Sequence, residues 1–191
     1  MEQQLEAEAK AAAEASALED DDEQREDKIN ADTRKLKFSH RFRLVEKNKA
    51  EGTELFKDGN FHHAAKRYKD ALGHAAKFRD LDPEKDATVK KIKVDLHVNM
   101  ALCWTKLENP DQSLKSAEEA LKLDPDHPKA LYRRAALFEK TNKFDEAKKD
   151  LVKTLKINPD DKASLALMKR VDAQLARQKA KAKKMAAKMF A

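Results

Sequence analysis

Lys129 and Arg133 stand four residues apart. On a helix that spacing puts both cations on one face, where together they can hold a single carboxylate. Other cation pairs share that spacing, among them Arg43/Lys47 and Lys149/Lys153, so spacing alone does not single this one out. The six histidines are isolated or flanked by lysine, and His62-His63 is an adjacent pair rather than a metal-ligand spacing. The single cysteine, Cys103, precedes Trp104 and reads as a small core residue; one cysteine cannot form an intrachain disulfide, which points to a reducing compartment. No glycine-rich phosphate loop is present. The run Glu19-Asp20-Asp21-Asp22-Glu23 reads as a solvated acidic tail. No catalytic residue, metal site or cofactor is expected.

The elements that would carry Lys129 and Arg133 follow from composition and period. The chain has 191 residues, 40% apolar and 40% charged, with three glycines and five prolines. That balance suits thin helical layers with wide solvated surfaces and leaves too few turn residues for a sandwich or barrel. Two segments superimpose at a period of 34, residues 94–127 and 128–161: Ala101 aligns with Ala135, Trp104 with Phe138, Ser113 with Ala147, and Pro125 with Pro159. A third copy spans 45–78 and places Gly52, Ala64, Tyr68 and Ala71 in register. About fifteen extra residues, 79–93, separate the first copy from the second. Each unit reads as a helix pair, with small residues where the helices cross and Tyr68, Trp104 and Phe138 filling gaps between layers. One pair cannot bury its apolar face, so three are expected to stack.

These repeats resemble the tetratricopeptide-repeat (TPR) family over roughly 45–161. The resemblance implies an all-α fold: a three-repeat right-handed superhelix over 40–161 with an extended C-terminal capping helix, 162–191. The strings HVNMALCW and KALYRRA, the insertion and the ending KKMAAKMFA narrow the resemblance to the repeat domain of large immunophilins and to the stand-alone tetratricopeptide repeat domain nine group. In the capping helix Leu165, Met168, Val171 and Leu175 recur at three or four, and its second half is expected to project into solvent.

The family's chaperone-binding members use a two-carboxylate clamp on the inner helices. Carried onto this chain, its places read Lys49, Thr53, Asn99, Lys129 and Arg133, with Lys106 as an auxiliary cation; Thr53 replaces the usual Asn. The resemblance thus implies a non-enzymatic, cytoplasmic co-chaperone or adaptor. It would hold the acidic C-terminal Glu-Glu-Val-Asp tail of heat shock protein 90, or 70, in a concave groove. The alternative is a structural subunit of a cytoskeletal or ciliary assembly with a vestigial clamp.

The ends differ in charge. Residues 1–32 carry 12 acidic and 3 basic side chains, and 162–191 carry 9 basic and 1 acidic. The first is expected to be a disordered tail or solvated helix that packs on nothing. The second is a solvated basic face or a contact for calmodulin, anionic lipid or microtubules; without interleaved aromatics it is not a nucleic-acid surface. No stretch is long and apolar enough to span a membrane, and the acidic N-terminus reads as neither a secretory signal nor a transit peptide.

Overall fold

The computed structural model describes residues 37–189, of which the last three carry backbone only. The acidic stretch 1–32 and the closing Phe190-Ala191 therefore lie outside the described residues. Seven helices and no strand occur among those described: α1 Phe38–Lys57, α2 Phe61–Ala75, α3 Pro83–Lys106, α4 Pro110–Leu123, α5 Pro128–Lys140, α6 Phe144–Ile157 and α7 Lys162–Met189. The chain divides into two compact units at Arg43/Leu44. Of the first, only the opening of α1 is described, where the Phe38 and Phe42 rings stack at 5.4 Å.

Local sequence sets most helix starts. Three begin with proline, whose fixed φ suits the first helical position. Each of these is preceded by a capping side chain: Asp82 accepts from the Lys85 amide at 2.8 Å, Asn109 from Gln112 at 3.1 Å, and His127 Nδ1 from Ala130 at 3.3 Å. The turn inside each helix pair ends on a left-handed residue: Gly59 (φ 78°), Glu108 (φ 54°) and Asn142 (φ 58°). All three occupy the fifteenth place of their repeats, so the backbone repeats with the period read from side chains.

Packing follows the same register. Successive helices from α2 to α7 lie against one another, α3 also meets α5, and α5 meets α7. Ala64, Ala71, Ala101, Ala135 and Ala147 are fully buried, as a close crossing of backbones demands. At Gly52 an added Cβ would lie 2.8 Å from the Tyr68 ring, which is itself buried. Ser113 fills the place occupied by alanine in the other repeats; its hydroxyl is satisfied by the Ala101 carbonyl at 2.8 Å. One core cluster gathers Val94, Val98, Leu121 and Leu131; another joins Ala135, Leu151, Leu167 and Val171. Enlarging a crossing residue should cost about 1–3 kcal/mol by overpacking. Ala101→Leu and Ala135→Leu are expected to lower the urea midpoint accordingly, and unchanged midpoints would mean the crossings lie elsewhere.

Two features depart from the sequence reading. The extra segment, 79–93, is helical from Pro83 onward and runs without a break into the first helix of the second repeat, which therefore starts eleven residues before the repeat register. In α7 the buried positions are Ser164, Leu167, Val171 and Leu175, while Leu165 is 48% exposed. Asp161 sets this phase. Its carboxylate accepts from the Ser164 amide and its carbonyl from Leu165, which turns Ser164 and Leu167 inward and Leu165 out. Beyond Leu175 the described side chains of α7 are exposed.

Candidate functional site: a basic groove between α3 and α5

The first helices of the repeats, α1, α3 and α5, carry all six residues singled out from the sequence. They fall into three settings. Lys49 on α1 is taken: its Nζ lies 2.9 Å from Asp95 Oδ2 on α3, with both side chains partly exposed. Asp95 precedes Asn99 by four residues and so shares its helical face.

Thr53, Asn99 and Arg133 converge on the Tyr68 phenol. Thr53 Oγ1 donates to the Lys49 carbonyl at 2.9 Å and lies 3.3 Å from Tyr68 Oη. Burial raises the Tyr68 pKa, against the opposing pull of Thr53, Arg133 and Asn99. The Arg133 guanidinium is sunk between α3 and α5, where it donates to the Val98 carbonyl. Burial lowers its pKa to about 10, against the opposing pull of Cys103 and Tyr68. The guanidinium remains charged at neutral pH. Cys103, buried beside it, is pushed up to about 11, chiefly by desolvation, and is an inert thiol there.

Lys106 and Lys129 are exposed and form no ion pair among the described residues. With Arg133 and Lys140 they line a groove of about 630 Å³ whose apolar wall includes Leu102 and Tyr132. The one carboxylate among its lining side chains, Asp161, is committed to capping α7. The structure therefore brings Lys106, Lys129 and Arg133 together, gathers Thr53 and Asn99 around Arg133 through Tyr68, and leaves Lys49 engaged with Asp95. Sequence reasoning missed Asp95, Tyr68 as a hub, and Lys140. The spacing of Asp95 from Asn99, and of Lys140 from Arg133 by two turns, carried the signal for two of them.

A groove built from the first helices of stacked, 34-residue helix pairs is the arrangement of one family. A Tetratricopeptide repeat profile matches residues 105–171. This chain carries a TPR domain. TPR domains are protein-interaction modules rather than enzymes. The domain is homologous to the TPR region of peptidyl-prolyl cis-trans isomerase FKBP4: the Bos taurus protein is 32% identical over 145 residues, covering 74% of this chain and 31% of that protein. The chain thus spans about a third of that relative, whose isomerase activity is its own. Among solved structures, the Hsp90 co-chaperone Cns1 from Saccharomyces cerevisiae superposes with a TM-score of 0.65 at 26% identity, covering 79% of this chain and 45% of Cns1. The first TPR of Spaghetti (RPAP3), bound to HSP90 peptide SRMEEVD, shares the fold at a TM-score of 0.59 and 22% identity, covering 70% and 94% of the two chains. No helix among the described residues of the TPR domain is long and apolar enough to cross a membrane.

Proposed function

We propose that the TPR domain acts as a co-chaperone or adaptor module that docks the acidic C-terminal tail of heat shock protein 90, or 70, in the cytoplasm. The supporting observation is the meeting of Lys106, Lys129 and Arg133 in one groove with no carboxylate left to neutralise them. Charge-assisted hydrogen bonds are worth about 1.5–3 kcal/mol each. A few of them, less the cost of immobilising a flexible peptide, leave micromolar binding near about −8 kcal/mol. Leu102 and Tyr132 give an apolar side chain of the tail a place beside its carboxylates.

In this reading Lys49 is the clamp cation that must be exchanged. Asp95 already holds it at 2.9 Å, so a ligand carboxylate either displaces Asp95 or meets its repulsion. Asp95→Asn is therefore expected to tighten tail binding by about two- to fivefold, the usual scale of one partly exposed charge pair.

Titration with the pentapeptide Met-Glu-Glu-Val-Asp, free and C-terminally amidated, tests the proposal. Micromolar binding of the free peptide, weakened by amidation and by salt, supports it. No binding of the free peptide at millimolar concentration and low salt would end it. A role as a structural subunit, resting on other faces of the domain, would then stand in its place.

A further inference from the structure

A second trough runs along the opposite side of α3. At 100° per residue, His97, Met100 and Trp104 point about 160–220° away from Leu102 of the basic groove. They form the floor of a trough of about 570 Å³. Ala65, Lys66 and Lys69 of α2 make one wall, and Lys115 and Glu119 of α4 the other. All three helices contribute residues at helical repeat, so the trough follows their length for about two turns, roughly 10 Å.

Its charge is lopsided. Lys66, Lys69 and Lys115 are exposed and make no ion pair among the described residues, whereas Lys57, Lys85, Lys122 and Lys148 each find a carboxylate nearby. The only carboxylate lining the trough, Glu119, is held by Lys122 at 2.6 Å. The floor combines a tryptophan with a methionine, side chains enriched at protein interfaces. Two floor atoms, Trp104 Nε1 and His97 Nδ1, are buried with no hydrogen-bond partner. Burial lowers the His97 pKa against the pull of Glu119, so the ring adds no charge to the floor at neutral pH. A buried unpaired N–H is a standing cost that an incoming acceptor relieves once the side chains above it shift.

We propose that this trough is a second protein-docking surface, which takes an acidic amphipathic helix of a partner protein. The apolar stripe of that helix would lie on Met100 and Trp104. Its carboxylates would meet Lys66, Lys69 and Lys115. Helix-in-groove recognition of this kind reads anchors at i, i+3/i+4 and i+7, the spacing of the trough's own walls. The surface is independent of the proposed tail-binding groove, and both can be filled at once.

Trp104 is the only tryptophan of the chain, so its emission reports on this trough alone. The probe is a synthetic helix of Glu, Leu and Ala, acetylated and amidated so that it presents no terminal carboxylate to the other groove. Emission is expected to shift on titration, with saturation in the micromolar range. Lys66→Glu/Lys69→Glu/Lys115→Glu should weaken that binding by about tenfold or more while leaving the circular dichroism spectrum unchanged, since all three side chains are exposed. Lys106→Glu/Lys129→Glu should leave it intact. Three results would overturn the proposal: no binding at millimolar peptide, equal binding by the triple variant, or loss of binding in the groove variant. Lysine-dependent attachment to phosphatidylserine vesicles with the peptide inert would overturn it as well, by assigning the lysines to a membrane surface.

Discussion

Arg134→Ala is expected to destabilise the domain by about 3 kcal/mol, the largest effect on stability of any single substitution considered. Arg134 grips Asp150 in a two-pronged contact, Nε to Oδ2 at 2.7 Å and Nη2 to Oδ1 at 2.8 Å, and so ties α5 to α6. Asp150 is 4% exposed. Without the guanidinium its carboxylate would remain in a dry site with no counter-charge, and the uncompensated burial sets the size of the loss. Arg134 also sits 5.8 Å above the centre of the Phe138 ring, so packing is lost too. Arg134→Met/Asp150→Leu should recover most of the loss, because it removes both charges. Urea denaturation of the two variants separates the terms. A single variant within about 1 kcal/mol of the parent would mean that Asp150 reaches water.

Lys106→Glu/Lys129→Glu is the corresponding test of binding. Reversing both exposed cations should weaken an acidic chaperone tail by about 2–3 kcal/mol, roughly thirty- to a hundred-and-fiftyfold, and flatten its salt dependence. The urea midpoint should hardly move, because neither lysine has a partner to lose. Arg133 does not offer so clean a test. From its spacing to Lys129 it reads as a second exposed cation that alanine could replace at no cost to the fold. In the structure it is sunk against α3 and bonded to the Val98 carbonyl, so Arg133→Ala would open a gap between repeats as well as remove a charge. Unaltered tail binding by the lysine double variant would place any tail-binding site outside this groove.

The repeats were legible because their constraints are local and periodic. A left-handed place closes each helix pair, and a small residue stands wherever two backbones meet; Gly59, Glu108 and Asn142, with Ala101 and Ala135, display both. What stayed hidden depends on where one helix ends or on distances between helices. Asp82-Pro83 marks a helix start, but nothing in the composition of 79–93 says that this helix runs unbroken into the second repeat. The phase of α7 turns on one capping aspartate. The pairing of Lys49 with Asp95 joins residues 46 apart, and only the tertiary fold brings them within reach. Of the candidate site, residue types and helices were therefore readable, and which cations remain unpaired was not.

The continuity of α3 has a mechanical consequence. Twenty-four residues of unbroken helix make a rod about 36 Å long. Its early part buries Val89 and Ile92, and its later part supplies Asp95, Asn99 and the Trp104 floor. Ordinary repeat arrays behave as chains of nearly independent links, each free to loosen against its neighbour. Here two links share one beam. A push or twist on its exposed lysine-rich end is expected to reach Asp95 and Asn99 without passing through a break in the helix.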